Sequence, residues 1–221
     1  MAKKLLIFDL DGTLLDTIGD LTQAVNHALS KNNLIINHSK ETIRTFVGNG
    51  IGKLIERSIP CQHRNAETIK CVQDDFVAFY NAHNRDLTQP YPGIIATLEY
   101  FQNNGILLAI ASNKYQQATE KLVAHYFPTT NFCNISGQKA EVPIKPHPAI
   151  INNILSETQI PKEAVLYIGD PEVDMQTGIN ADVDTIGVCW GFREKDILQK
   201  YSPLAISNTP DELKRIISNY I

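Results

Sequence analysis

Apolar and polar positions follow a rhythm that changes several times along this chain of 221 residues. Four consecutive apolar residues, Leu5 to Phe8, predict a strand buried on both faces, as in a parallel sheet covered by helices. From about 17 to 86, apolar residues recur at helical spacing and predict helices only. Beyond 88, short apolar runs alternate with helical segments, which is typical of βαβ units.

This rhythm predicts an α/β fold, a doubly wound and mostly parallel sheet of the Rossmann-like kind. Residues 1–16 and 88–221 are predicted to form that domain, and 17–87 an all-helical insertion. Ser39 is a predicted N-cap within the insertion, and a long helix is expected from about 64 to 83. The remaining predictions are strands over 106–111, 132–135, 164–168 and 185–188, helices over 94–103, 116–126, 149–156 and 173–180, and a last strand and helix in 204–219.

Composition narrows the partners and the location that we expect. The chain has 20 basic and 24 acidic residues, a net charge of −4, so no basic surplus favours nucleic acid as a partner. No apolar stretch approaches the roughly 18 residues that span a bilayer, and the N-terminal segment does not resemble a secretory signal. We therefore expect a cytoplasmic protein without a membrane partner. Its four scattered cysteines are expected to be reduced, packed thiols.

Two aspartates follow the first strand directly. Asp9 and Asp11 are spaced i, i+2, so in an extended segment they point to the same side. The carboxyl ends of the strands in an open α/β sheet are where such folds build their sites. Two carboxylates so close repel each other unless a cation or a shared proton relieves the repulsion.

Other apolar runs also end in polar residues. Ser112-Asn113-Lys114 follows the second run, and Gly169-Asp170 with Asp174 follows a later one. Lys145 lies between them, in a proline-stiffened loop before a helix. Each motif alone is a weak signal, but in a parallel sheet all of them converge on one edge. Aspartate oxygens suit Mg²⁺, and a hydroxyl, backbone N–H groups and a lysine suit a phosphate, so the set indicates phosphoryl transfer.

The motifs together resemble those of the haloacid dehalogenase-like hydrolase superfamily. Within it, Phe8-Asp9-Leu10-Asp11-Gly12-Thr13-Leu14-Leu15-Asp16-Thr17 and Val47-Gly48-Asn49-Gly50 resemble the phosphoglycolate phosphatase type of small-molecule phosphatase. The resemblance covers essentially the whole chain. It implies that Asp9 is a nucleophile that forms an aspartyl-phosphate, and that Asp11 is the general acid and then the general base.

The same resemblance implies the ligands of a metal ion and of the phosphate. Mg²⁺ would be bound by the Asp9 carboxylate, the Asp11 backbone carbonyl and the Asp170 carboxylate, with Asp174 ligating or bracing from close by. Ser112, Asn113 and Lys145 would bind the phosphoryl group. One departure from the family pattern is Pro171, which stands where relatives often have a small hydroxyl residue and brings neither a hydroxyl nor an N–H group.

The helical insertion resembles a cap that closes over such a site. Gly48, Asn49 and Gly50 lie before a helix and are candidates for contacting the substrate beyond its phosphate, with a plain interhelical turn as the alternative. We expect a Mg²⁺-dependent phosphatase acting on a small phosphorylated metabolite, such as 2-phosphoglycolate, as a monomer or homodimer. A sugar-phosphate mutase of the same superfamily and a non-catalytic module that binds a phosphorylated ligand are the alternatives.

Overall fold

The structure, a computed structural model, describes residues 1–221. It divides into two compact units, one made of Met1–Leu15 with Pro90–Ile221 and the other of Asp16–Gln89. The first unit contains the sheet and the second contains only helices apart from its two ends. The role of the helical unit as a cap stays a prediction.

Eight strands follow one another along the chain. They are β1 (Leu5–Phe8), β2 (Leu15–Asp16), β3 (Gln89–Pro90), β4 (Leu107–Tyr115), β5 (Phe132–Gln138), β6 (Val165–Gly169), β7 (Asp184–Val188) and β8 (Ala205–Ser207). Six of them form a parallel sheet in the order β5-β4-β1-β6-β7-β8, and β2 pairs with β3. The predicted Rossmann-like α/β fold class is confirmed. It places the carboxyl ends of β1, β4 and β6 side by side.

Ten α-helices complete the chain. They are α1 (Ile18–Lys31), α2 (Lys40–Phe46), α3 (Gly50–Ser58), α4 (Ala66–His83), α5 (Ile94–Asn103), α6 (Gln116–Tyr126), α7 (Ala149–Thr158), α8 (Glu172–Ala181), α9 (Lys195–Gln199) and α10 (Pro210–Ser218). The first four belong to the helical unit and the others to the unit with the sheet. Short 3₁₀ turns precede α4 and β6.

Strand β1 is buried on both faces, as its continuous apolar run predicts. Leu6 and Phe8 pack into one hydrophobic cluster, while Leu5 and Ile7 pack into a second cluster. Successive side chains of a strand point to opposite faces, so the two clusters are the cores on the two sides of the sheet. The strand that directly precedes Asp9 is therefore held firmly by packing on both sides.

The helical unit follows the periodicity of its sequence. The predicted apolar stripe of α1 is buried, from Leu21 through Leu29 at helical spacing. Ser39 is the N-cap of α2, and its hydroxyl accepts a hydrogen bond from the Thr42 N–H group. The buried Asp20 carboxylate accepts hydrogen bonds from Leu87 N–H and from the N–H and hydroxyl groups of Thr88. Asp20 thus ties the two ends of this unit together.

Several details differ from the prediction. Strand β4 continues to Tyr115 because it stays paired with β5, so the polar residues expected after the strand lie inside it. Helix α9 was not predicted, since its five residues are too short for a periodic signal. The prediction that the four cysteines are packed is wrong, because Cys61, Cys71 and Cys133 are exposed and Cys189 is half-buried. No helix in residues 1–221 is long and apolar enough to cross a membrane.

Candidate active site

Asp9 and Asp170 follow neighbouring strands of the sheet. Strand β1 pairs with β6 in parallel, and the Asp9 N–H group donates to the carbonyl of Ile168 at 2.9 Å, which continues the ladder. Asp9 is 5% exposed and Asp170 is 0% exposed. The register therefore brings two carboxylates, 161 positions apart in the sequence numbering, to the same edge, as the sequence predicts.

The Asp170 carboxylate accepts a hydrogen bond on each oxygen. The Thr13 hydroxyl donates to Oδ1 at 3.0 Å, and the Phe192 N–H group donates to Oδ2 at 2.8 Å. Burial raises the pKa of Asp170 well above its ordinary value, and the carboxylates of Asp9 and Asp174 raise it further. The two hydrogen bonds fix the carboxylate and oppose this upward shift, but they do not cancel it.

Asp174 lies in the first turn of α8 and is completely buried. Its Oδ1 accepts hydrogen bonds from Tyr167 Oη at 2.6 Å and from Lys145 Nζ at 2.7 Å. Its Oδ2 is buried and has no hydrogen-bond partner. Burial and the nearby Asp9 carboxylate raise the pKa of Asp174 to about 7, although Lys145 and Tyr167 oppose the shift.

Lys145 points into the centre of this cluster. Its ammonium contacts Asp9 Oδ1 at 2.8 Å as well as Asp174, and also donates to the Ala111 carbonyl at 2.9 Å. Burial alone lowers the pKa of Lys145, but the Asp174 and Asp9 carboxylates raise it more, so the side chain is cationic. The Lys145 ammonium is therefore a buried positive charge between the carboxylates of Asp9 and Asp174.

The cluster fits a divalent cation. One carboxylate oxygen each from Asp9, Asp170 and Asp174 lies within 4.8 Å of the others, and all three residues are buried. One lysine against three carboxylates leaves two negative charges to be offset when all three are ionised. Hard oxygen donors at this spacing suit Mg²⁺, and the unpaired Oδ2 of Asp174 offers a further acceptor.

The polar residues inside β4 are all nearly buried. Ser112 is 2% exposed, and its Oγ accepts a hydrogen bond from the Lys114 N–H group at 3.2 Å. The Asn113 side chain makes two hydrogen bonds to the backbone of Lys145, one in each direction. The side-chain amide of Asn113 therefore holds the loop that contains Lys145. The sequence did not predict this contact.

Asp11 is not a member of the three-carboxylate cluster. Its carboxylate is paired with Lys114, whose Nζ lies 2.9 Å from Oδ1 and 2.8 Å from Oδ2. Both side chains are largely shielded from water, with Lys114 at 4% and Asp11 at 14% exposure. The sequence places Lys114 at this edge, within Ser112-Asn113-Lys114, but assigns it no role, since a lysine at the end of an apolar run has no specific signal.

Glycines allow the backbone to approach these carboxylates closely. Gly12 has φ of +89°, and an added Cβ there would lie 2.5 Å from both oxygens of Asp170. A Cβ at Gly191 would lie 2.3 Å from the Gly12 carbonyl oxygen and 2.5 Å from Cβ of Asp170. At Gly169 a Cβ would lie 2.0 Å from Asp174 Oδ2, so this glycine is required for a close approach.

Pro171 begins α8 without disturbing it. It is the N-cap residue of the helix, and its carbonyl accepts the Asp174 N–H group at 2.9 Å. The missing N–H group of proline costs nothing at such a position, because the first amides of a helix have no partner within the helix. The loop that carries Asp170 and Asp174 is therefore intact despite the departure from the family pattern.

The segment Gly48-Asn49-Gly50 joins α2 to α3 in the helical unit. Gly48 and Gly50 have positive φ angles of 121° and 77°, and Asn49 is the N-cap residue of α3 without a side-chain capping bond. The glycines are explained by this backbone conformation, which other residues rarely adopt. A contact of the segment with a substrate stays a prediction.

Comparisons with known proteins agree with this geometry. Residues 6–188 match the family model described as haloacid dehalogenase-like hydrolase. A phosphoglycolate phosphatase of Mesorhizobium japonicum is 30% identical over 217 residues, which cover 96% of this chain and 94% of the relative. A phosphoglycolate phosphatase of Cereibacter sphaeroides is 34% identical over 197 residues, covering 86% of this chain and 87% of the relative.

Solved structures show the same architecture. The crystal structure of a protein from Lactobacillus delbrueckii subsp. bulgaricus superposes with a TM-score of 0.92 and 32% identity, covering 98% of this chain and 99% of that one. The chain belongs to the haloacid dehalogenase-like hydrolase family. Within that family it is an enzyme of the phosphoric monoester hydrolase class.

Proposed function

We propose that this chain is a Mg²⁺-dependent phosphatase that hydrolyses a small phosphate monoester through an aspartyl-phosphate on Asp9. The observation that carries the proposal is the bridge made by buried Lys145 between the carboxylates of Asp9 and Asp174, beside Asp170. A buried cation next to a carboxylate nucleophile lowers the repulsion that an incoming phosphate dianion meets. The relatives named phosphoglycolate phosphatase make 2-phosphoglycolate the first substrate to test.

The first half of the reaction transfers the phosphoryl group to the enzyme. An oxygen of the Asp9 carboxylate attacks phosphorus in line, and the bond between phosphorus and the ester oxygen breaks. Asp11, in its protonated form, gives its proton to the departing oxygen, so an alcohol leaves. Ser112 and the Asn113 N–H group bind the phosphoryl oxygens, and Lys145 offsets the charge that builds up there.

The second half returns the enzyme to its starting state. Asp11, now ionised, takes a proton from water, and the water oxygen attacks phosphorus of the aspartyl-phosphate. The bond between phosphorus and Asp9 breaks, which releases inorganic phosphate and frees the carboxylate. Splitting the hydrolysis in this way replaces one difficult displacement by two easier ones.

Mg²⁺ would be held by Asp9, Asp170 and the Asp11 backbone carbonyl, with Asp174 ligating or bracing. When bound, it supplies positive charge that screens the approach of an anionic nucleophile to an anionic phosphate. The Thr13 and Phe192 hydrogen bonds keep the Asp170 carboxylate in place for that purpose. A cytoplasmic location, a small phosphorylated metabolite as the partner, and a monomer or homodimer complete the proposal.

The test is a phosphate-release assay with p-nitrophenyl phosphate and 2-phosphoglycolate, with Mg²⁺ and with a chelator. We expect turnover that the chelator abolishes, and that Asp9→Asn abolishes while the circular dichroism spectrum stays unchanged. Mass spectrometry of the acid-quenched enzyme should show a phosphoryl adduct on the wild type only. Recovery of an isomerised sugar phosphate without phosphate release would indicate a mutase, and near-normal activity of Asp9→Asn would refute the nucleophile.

A further inference from the structure

Lys114 pairs with the carboxylate proposed as the acid and base of the reaction. Its ammonium contacts both oxygens of Asp11, at 2.9 and 2.8 Å, and its side chain is 4% exposed. A buried ion pair contributes little to stability, since the desolvation of both charges offsets their attraction. A second buried lysine at this edge of the sheet therefore calls for a role in binding rather than in folding.

The backbone at Lys114 is fixed on several sides. Its N–H group donates to Ser112 Oγ at 3.2 Å, and its carbonyl accepts from the Thr119 hydroxyl at 3.2 Å. Gly137 of β5 lies so close that an added Cβ would be 2.7 Å from the Lys114 carbonyl oxygen. The pairing of β4 with β5 is irregular between Ala111 and Tyr115, and such irregularities re-aim side chains near sites.

The position of Lys114 relative to a reacting ester follows from Asp11. A general acid comes within about 3.2 Å of the oxygen that it protonates. Because Lys114 Nζ lies 2.8 Å from Asp11 Oδ2, it is within roughly 6 Å of the ester oxygen in any such pose. If the substrate carries a carboxylate one carbon away from its ester oxygen, the carboxylate oxygens lie about 3 Å from that ester oxygen. Such a carboxylate can lie between the ester oxygen and Lys114 Nζ and contact the ammonium.

We propose that Lys114 is a specificity-determining residue that binds a carboxylate of the leaving group, so that the site favours phosphate esters of 2-hydroxycarboxylates. This inference rests on the proposed function. Lys145 lies against Asp9 and Asp174 on the side of the nucleophile, whereas Lys114 lies against Asp11 on the side of the leaving group. The two buried lysines thus bind opposite ends of one small dianionic or trianionic substrate, the first the phosphate and the second the carboxylate.

The test compares two esters that differ in the carboxylate alone, 2-phosphoglycolate and 2-hydroxyethyl phosphate, by their kcat/KM values. A hydrogen bond to a charged group changes such values by about 10- to 100-fold. In Lys114→Met we expect the preference for 2-phosphoglycolate to fall by at least about tenfold, mainly through KM. Lys114→Arg should recover part of the preference. The matched control is Lys162→Met, a lysine paired with Asp182 at the surface, which should leave the preference unchanged.

Equal losses on both esters in Lys114→Met would overturn the inference, because they would mean that the lysine acts only on Asp11. If Lys114→Met does not fold, inhibition of the wild-type enzyme tests the inference instead. Glycolate should inhibit hydrolysis of p-nitrophenyl phosphate competitively and ethylene glycol should not, and equal inhibition by both would overturn the inference. Failure of the proposed function has a different signature, namely that no ester is hydrolysed. In that case, calorimetry that compares the affinity of glycolate for the wild type and for Lys114→Arg still tests whether Lys114 binds the carboxylate.

Discussion

Asn113 holds Lys145 through a pair of hydrogen bonds to its backbone. Asn113 Oδ1 accepts the Lys145 N–H group at 2.9 Å, and Asn113 Nδ2 donates to the Lys145 carbonyl at 3.1 Å. The two residues come from β4 and from the loop before α7, 32 positions apart. This clamp fixes the start of the lysine side chain, and the Ala111 carbonyl and the two carboxylates fix its end.

Replacing Asn113 by alanine should lower kcat more than it raises KM. The change leaves the Lys145 N–H and carbonyl groups buried without these partners, which costs about 1–3 kcal/mol of stability. A displaced ammonium stabilises the charge on phosphorus less well, so we expect kcat to fall by about 10- to 100-fold. Steady-state kinetics and thermal denaturation measure both effects. Asn152→Ala, which replaces an exposed asparagine on α7, is the control and should leave kcat and KM unchanged without lowering stability, since alanine is the better helix former.

The sequence predicts the main elements of this site because they follow buried strands. Asp9 and Asp170 are charged residues directly after continuous apolar runs, and a parallel sheet brings such positions to one edge. Lys145 was predicted through its motif, and the structure places it between Asp9 and Asp174. The meeting of residues far apart in the sequence could thus be predicted from the apolar runs, together with the rule that the carboxyl ends of parallel strands share one edge of the sheet.

Other contacts of the site cannot be predicted from the pattern of apolar and polar residues. Tyr167 occupies a strand position where any apolar residue would fit, so its hydroxyl contact with Asp174 is not visible in the sequence. The Phe192 contact with Asp170 uses a backbone N–H group, which every residue except proline carries. Strand β4 was predicted too short because Ser112, Asn113 and Lys114 are polar, although the structure buries all of them through partners from distant segments.

Gly191 should not tolerate a side chain. A Cβ there would overlap the Gly12 carbonyl oxygen at 2.3 Å and Cβ of Asp170 at 2.5 Å, the first a backbone atom and the second the start of a buried side chain of the site. We expect Gly191→Ala to displace Asp170 and to raise the Mg²⁺ concentration needed for half-maximal activity by at least about tenfold. A metal titration of activity measures this.

The matched control for that change is Gly52→Ala. Gly52 lies in α3, and an added Cβ meets no atom within 4 Å. Alanine is the better helix former, so the variant should gain about 0.5–1 kcal/mol of stability and keep its Mg²⁺ titration. An unchanged titration for Gly191→Ala would contradict the close approach that the structure shows.

Tyr167→Phe tests whether the hydroxyl positions the carboxylate of Asp174. The hydroxyl lies 2.6 Å from Asp174 Oδ1 and 3.0 Å from Lys145 Nζ, and its hydrogen bond lowers the pKa of Asp174 against the effect of burial. Without it, the pKa of Asp174 should rise further, and the pH at which Mg²⁺ activates the enzyme should move upward. The pH profile of activation at a fixed Mg²⁺ concentration is the measurement. A lower stability with an unmoved profile would assign the hydroxyl a purely structural role.

Mg²⁺ should stabilise the protein more as the pH rises. Burial raises the pKa of Asp170 and, to about 7, that of Asp174 from its ordinary 3.8. A carboxyl with a raised pKa in the folded state stabilises the metal-free protein fully below pH 3.8, and this contribution is lost as the pH rises through about 7. A metal ion binds only the ionised carboxylates, so below that range it must displace protons.

Thermal denaturation with and without Mg²⁺ at about pH 5.5, 6.5 and 7.5 should show an increase in Tm that grows with pH. Asp174→Asn, which cannot titrate, should show a smaller increase with a flatter pH dependence. An increase that is as large at the lowest pH as at the highest would mean that protons and the metal ion do not compete for these carboxylates.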